Sequence, residues 1–197
     1  MQSNVEFVTD GSVKYHLAGN DWYAVTQDED KVMLVDTDCK VYDEELWTPW
    51  SSGNWRNESG ENGQAVLDRC NNLVNKYFSD IKHAIMPRVV EAGTGKLENA
   101  YMWPMSKEEF GDHKVISGNI VKNSNSHIWT RSFASIYSGS DRYAWYVNGA
   151  SGDLYSGGNV SNLFRVAPAF NLKKSAIDHI NDDGEIIIKS ADTHITD

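Results

Sequence analysis

Few side chains in this chain stand at the spacings that catalysis or metal binding requires. The six histidines, His16, His83, His113, His127, His179 and His194, have no second ligand at i, i+4 or a comparable spacing. Cys39 and Cys70 make no zinc-type pattern with them, and Cys70 falls on the apolar face of a predicted helix, the usual place of a buried free thiol. One Cys39–Cys70 disulfide stays open. Glu108, Glu109 and Asp112 come nearest to the paired carboxylates of glycoside hydrolysis, but they lie in or beside a short surface helix. Asn181-Asp182-Asp183 offers too few oxygens for calcium, which takes about six to eight. Gly93-Thr94-Gly95 lacks the strand-turn-helix context and the Lys-Ser/Thr pair of a phosphate loop. No nucleophile elbow surrounds a serine. The residues therefore name no catalytic group, no metal and no cofactor.

The segment Ile128 to Leu172 has a different character. Between the apolar anchors Ile128-Trp129 and Val166–Leu172 lie roughly thirty residues dominated by Ser, Gly, Tyr, Asn and Asp, the composition of an antibody-type contact surface. Tyrosine supplies contact area at low entropy cost, and the small polar residues adapt their hydrogen bonds. The expected ligand-contacting residues are Tyr137, Ser138, Ser140, Asp141, Arg142, Tyr143, Trp145, Asp153, Tyr155, Ser156, Asn159, Ser161 and Asn162. Arg142 is expected to face the ligand. Arg131, in the first anchor, is expected to partner a buried carboxylate or carbonyls. Trp145 fits the core and a central contact equally. His127 is read as a surface histidine.

Charge narrows the partners. The 197 residues carry a net charge of -10, with no Lys/Arg cluster, which argues against nucleic acid. Acidic runs at Asp28–Asp30, Asp43–Glu45 and Asp182–Glu185 read as solvated surface. No apolar run is long enough to span a membrane, and the first residues do not read as a signal peptide.

The elements expected to position the contact residues are mixed. Trp22 to Thr26 and Lys31 to Asp36 predict a hairpin around Gln27–Asp30, with Tyr15 to Leu17 as an earlier strand. Val66, Leu67, Cys70, Leu73, Val74 and Tyr77 predict a main helix over about 64–78, with Asn62-Gly63 at its start. A further turn over Asp80 to Ala84 ends before Pro87, and Met86 to Ala92 is extended. Leu46 to Gly60, Glu91 to Glu98 and Asp112 to Ser126 read as loops. Tyr101 to Met105 reads as a short buried strand, and Ser106 caps a short helix over about 106–110. Strands follow at Ile128–Ser132, Tyr143–Asn148, Leu154–Ser156 and Arg165–Leu172, with turns at Gly149–Gly152 and Gly157-Gly158. Glu185 to Lys189 adds one more, and residues 190–197 read as a disordered tail or linker. The class is α+β with antiparallel sheets, organised as one domain over 1–175 and an extension over 176–197.

Several segments, in this order, resemble a bacterial and phage family of unknown function. Ile128-Trp129-Thr130-Arg131-Ser132 resembles its WLRSP segment, and Tyr143–Asn148 with Gly152 its YV…G segment. Arg165-Val166-Ala167-Pro168-Ala169-Phe170 resembles the closing V-R-P-A-[LF]. Upstream, Trp22–Val25 with Val32–Val35, Lys76–Ser79 and Tyr101–Ser106 with Glu108-Glu109 match further segments, so the resemblance covers about residues 15–175. It implies a C-type-lectin-like fold, similar to the variable proteins of diversity-generating retroelements, whose C-terminal codons are mutated to give Tyr, Ser, Asp and Gly. A receptor-recognition or adhesin-type domain on a virion or cell surface is then expected. Its ligand would be a protein or glycan, and homo-oligomers would suit weak single sites. A carbohydrate-acting enzyme and a structural decoration without a ligand are the alternatives. Thr130 and Phe133 depart from the pattern, and with Arg-Val-Ala-Pro in place of Val-Arg-Pro the arginine that the family buries is displaced or absent. Neither Glu-Pro-Asn nor Trp-Asn-Asp, the calcium runs of sugar-binding C-type lectins, occurs. The related formylglycine-generating oxidases need cysteines in the C-terminal core, and both cysteines here precede residue 71.

Overall fold

The fold was read from a computed structural model, which describes residues 5–137 and 141–191. The chain opens with β1 (Tyr15–Leu17), β2 (Asn20–Gln27) and β3 (Lys31–Asp36). A small hairpin, β4 (Lys40–Val41) and β5 (Glu44–Glu45), leads to β6 (Trp47–Thr48). Helix α1 (Gln64–Tyr77) follows, then β7 (Ile85–Met86), β8 (Arg88–Ala92), β9 (Gly95–Ala100) and β10 (Trp103–Pro104). Helices α2 (Lys107–Asp112) and α3 (Lys114–Ser124) precede the long strands β11 (Ile128–Tyr137), β12 (Asp141–Val147) and β13 (Leu154–Asn159). The chain closes through β14 (Phe164–Arg165), β15 (Pro168–Lys173), β16 (Ile177–Ile180) and β17 (Ile186–Ile188).

Two sheets carry the architecture. The first runs β1-β2-β3-β15-β10, with β7 also pairing β15; the second runs β13-β12-β11-β14-β6. All these pairings are antiparallel except β11 with β14. The molecule is therefore α+β, mostly antiparallel sheet with few helices. Val32 to Val35 of β3 are all buried, as a central strand covered on both faces requires. Helix α1 lays Val66, Leu67, Cys70, Leu73 and Val74 on the core. In that core Trp22 meets Phe170 edge-on, ring centres 4.8 Å apart. Two buried indoles tie the second sheet together: Trp50 Nε1 donates to Thr130 O at 2.9 Å, and Trp129 Nε1 donates to Thr48 O at 3.0 Å.

The opening hairpin, α1 and the Ser106-capped α2 stand where periodicity put them, α2 with a full capping box to Glu109. Five expectations are corrected. Asp112 to Ser126 is not a loop: Ile116, Ile120 and Val121 bury one stripe of α3, which ends at Asn125 in the left-handed region (φ 49). Gly118, Asn119 and Asn123 obscured that stripe. Glu91 to Glu98 is not a loop but most of a hairpin, β8 with β9, turning at Gly93 (φ 56). A Cβ on Gly93 would lie 2.0 Å from Glu61 O, so only glycine fits. Gly157-Gly158 is not a turn but lies inside β13. Arg165–Leu172 is not one strand: Val166-Ala167 carries the chain out of the second sheet and into the first. Tyr101–Met105 keeps only Trp103-Pro104 as strand.

After residue 175 the chain forms the hairpin β16–β17, one strand more than expected. It buries Ile177 and Ile186 in the common core, and His16 N–H donates to Gly184 O at 2.9 Å. Residues 192–197 of the expected tail lie outside the described residues. Both cysteines are free buried thiols, pushed up from the ordinary thiol range by burial. Among the described residues no helix is long and apolar enough to cross a membrane.

Candidate functional site: an aromatic face on the second sheet

Strands β12 and β13 pair with Tyr143 opposite Asn159 and Tyr146 opposite Tyr155. An irregularity between Ala144 and Tyr146 resets the alternation, so Trp145 and Tyr146 are both half-buried. Tyr146 is the centre of a run of rings. Tyr155 stacks on it at 6.0 Å and stays 46% exposed. Phe164 meets Tyr146 at 5.0 Å and the buried Trp129 at 4.4 Å. His127 stands edge-on to Tyr146 and Phe164, at 5.1 and 4.9 Å. Gly149 N–H donates to His127 Nδ1 at 2.8 Å, so the neutral ring carries its proton on Nε2.

The run ends in exposed apolar surface. Leu163 is 64% and Trp47 42% exposed, and a cavity of about 420 Å³ opens between Trp47, His127, Gly149, Leu163 and Phe164. Trp47 is held from behind by the Arg165 guanidinium, 4.6 Å over its ring. Arg165 is buried and fixed by Glu45 Oε1 at 2.7 Å and Ser124 O at 3.2 Å. A buried arginine thus stands in the closing segment despite its displaced position in the sequence.

The structure brings together some of the expected contact residues and separates others. Tyr143 and Asn159 are neighbours, and Tyr155 and Ser156 lie exposed on β13. Asn159 organises its turn, its Oδ1 accepting from Ser161 N–H at 3.0 Å and Ser161 Oγ–H at 2.6 Å; Ser161 and Asn162 are exposed. Asp153 lies at the opposite end of β13, roughly 20 Å from Asn159 at about 3.3 Å per residue. Asp141 is half-buried at the start of β12. Trp145 is half-buried too, with Lys107 Nζ 4.5 Å over its ring. Ser138, Ser140 and the side chain of Tyr137 lie outside the described residues.

Arg142 is corrected. It is 7% exposed, its Nη2 meets Glu61 Oε1 at 3.1 Å and its N–H donates to Trp55 O at 2.9 Å. It braces the 55–61 segment rather than facing a ligand. Arg131 behaves as expected, with Nη1 on Glu109 Oε2 at 3.0 Å. His127 is half-buried among rings rather than on open surface. Sequence reasoning left Tyr146, His127, Phe164, Leu163 and Trp47 out of the site. Leu163-Phe164, an apolar pair within a Ser/Asn run, was the available signal.

Within the acidic run Asp43–Glu45, Asp43 and Glu45 are exposed as expected, and Glu44 is corrected. Glu44 accepts from Arg69 Nη1 at 2.9 Å, Lys76 Nζ at 2.7 Å and the Tyr77 hydroxyl. The hydrogen bonds from Lys76 and Tyr77 hold its carboxyl down at about 2. Asp36, nearby, is buried and accepts from Lys40 N–H at 3.0 Å. Burial first, and then the neighbouring Asp38, pushes its carboxyl well above the carboxylate range. Among the described residues no three His, Cys, Asp or Glu side chains gather to hold a metal. The aromatic face can stack on a ligand and surround it with small polar groups.

No family model, no curated protein and no solved structure matches this chain.

Proposed function

We propose that this chain is a ligand-binding domain with a C-type-lectin-like fold, of the receptor-recognition or adhesin type, on the surface of a phage or bacterium. The observation that carries the reading is the half-exposed run Tyr155–Tyr146–Phe164, continuous with exposed Leu163 and Trp47. Aromatic residues with one apolar face and wet neighbours are the usual anchors of interfaces, and their rings also stack on sugars. The ligand is a protein or a glycan of a cell surface, held without turnover. Two mostly antiparallel sheets, with the closing strand β15 inserted beside β3, support the lectin-like reading of the segment order. Ser156, Ser161 and Asn162 around the run are exposed, so they are open to the replacement that a retroelement would supply.

The domain, displayed as a trimer for avidity, is to be tested on a glycan array and on whole bacterial cells beside a Tyr155→Ser/Leu163→Ser variant. Binding by the wild type that is lost in the folded variant supports the face. Equal binding by both removes it as the site. Conversion of a bound saccharide to product would favour the carbohydrate-acting enzyme.

A further inference from the structure

A second cavity, of about 530 Å³, opens where β8, the residue that caps α2, and β11 meet. It is lined by Arg88, Val89, Ser106, Arg131, Ser132 and Phe133 among others, on a chain whose net charge is -10. Its arginines share one carboxylate. Glu109 Oε2 takes Arg131 Nη1 at 3.0 Å, while Arg88 Nη1 stands 3.9 Å from Glu109 Oε1. Beyond that, Arg88 Nε only reaches Val89 O at 3.4 Å. Among the described residues Arg131 Nε and Nη2 make no hydrogen bond. Arg88 lies 5.1 Å over the Trp103 ring, whose buried Nε1–H has no partner among the described residues. Arg88 and Arg131 therefore keep guanidinium N–H groups that Glu109 does not engage. The carboxylate on the cavity wall itself, Glu91, is exposed to solvent and stands opposite Lys96 in the strand register of the hairpin.

From this arrangement we infer an anion-binding site: the Arg88/Arg131 cavity takes the oxyanion group of a small ligand, a carboxylate, sulfate or phosphate. Planar guanidinium forks match such groups two oxygens at a time, and half-buried arginines bind them with charge-assisted hydrogen bonds. Arg131 is already oriented by Glu109, and Glu109 is fixed in turn by the capping box of α2, so one fork is preorganised. Arg88, 39% exposed at its side chain, is the second and more exposed arm. The volume lies in the range of small-ligand pockets, about 300–1,000 Å³, and admits an acidic monosaccharide. The inference does not rest on the aromatic face.

The test is a titration of the ¹⁵N-labelled full chain with sodium sulfate, sodium phosphate and sodium glucuronate, with sodium chloride at matched ionic strength and glucose as controls. The expected result is a saturable shift of the Ser132 and Phe133 amides with at least one of the three oxyanions. The dissociation constant should rise about tenfold or more in Arg88→Gln and stay unchanged in Arg56→Gln, whose arginine stacks elsewhere on Trp55. Tighter binding of glucuronate would assign the site to acidic saccharides, and tighter sulfate or phosphate to inorganic esters or free anions. Shifts that follow ionic strength alone, no saturation with any oxyanion, or equal affinity in Arg88→Gln would overturn the inference.

Discussion

The region around β4 and β5 and the hairpin of β12 and β13 use their polar residues in opposite ways. In the first, nearly every charge is engaged: Glu44 gathers Arg69, Lys76 and Tyr77, Glu45 holds Arg165, and buried Asp36 takes a backbone N–H. In the second, Tyr155, Ser156, Ser161 and Asn162 stand exposed above a few buried positions that do the holding. Glu44, which looked like solvated surface, is structural, while Tyr155, Ser156, Ser161 and Asn162, which looked like surface, are exposed. A polar side chain is committed to the fold only where the chain places its partner within hydrogen-bond reach.

Substitutions in the two regions can break or sharpen this contrast. The largest effect is expected beneath the hairpin. Trp129→Ala removes a fully buried indole that packs on Phe164 and donates to Thr48 O, and should cost about 3–5 kcal/mol by chemical denaturation. A smaller loss by this variant would mean that the exposed hairpin is anchored elsewhere. Next is a pair within one strand. A Cβ on Gly158 would lie 2.6 Å from the Trp129 ring, whereas one on Gly157 meets nothing within 4 Å. Gly158→Ala should therefore cost about 1–3 kcal/mol, and Gly157→Ala should change stability by less than about 0.5 kcal/mol. Equal effects of the two would refute the picture of a free outer side over a packed inner one.

In the other region, Glu44→Gln should cost about 1–2 kcal/mol at neutral pH, since three donors lose their charged acceptor. The sign with pH follows from its direction. The Glu44 carboxyl is held below its unfolded value, so its contribution is complete above pH 4.5 and is lost as pH falls toward about 2. The melting temperatures of wild type and variant should converge over that interval. Asp36 runs the other way. Its folded carboxyl is raised above 3.8, so wild-type stability declines as pH rises from 3.8 through the folded value. Asp36→Asn should flatten that decline while its side-chain oxygen still accepts from Lys40 N–H, which a set of melting curves between pH 4 and 8 would read. The smallest stability effect belongs to Tyr155→Ser and Leu163→Ser. Each should stay within about 0.5 kcal/mol of wild type while weakening the binding proposed for the face.

Legibility tracked the range of the interaction. The opening hairpin, α1 and the α2 cap rest on contacts a few residues apart, and their residue patterns showed them. Helix α3 escaped because its stripe is short and interrupted by Gly118 and two asparagines, so its burial comes from the partners it meets rather than from its own pattern. In the site, composition located the β12–β13 surface but could not sort it. Arg142 belongs there by sequence and is turned inward by Glu61, 81 residues away. Phe164, His127 and Trp47 belong to the face because β14 brings them beside β11 and β6.

The residues by themselves determined the α+β class, the main helix, the capped short helix and the segment that carries the exposed Tyr/Ser/Asn surface. Hydrophobic period, caps and turn residues act through neighbours along the chain. The tertiary structure decided which arginine is buried, which acidic residues are structural, which rings line up from Tyr155 to Trp47, and that Arg88 and Arg131 share one carboxylate. Many of these encounters join residues far apart in the chain, up to the 120 positions between Glu45 and Arg165, and the packing of strands and helices sets their distances.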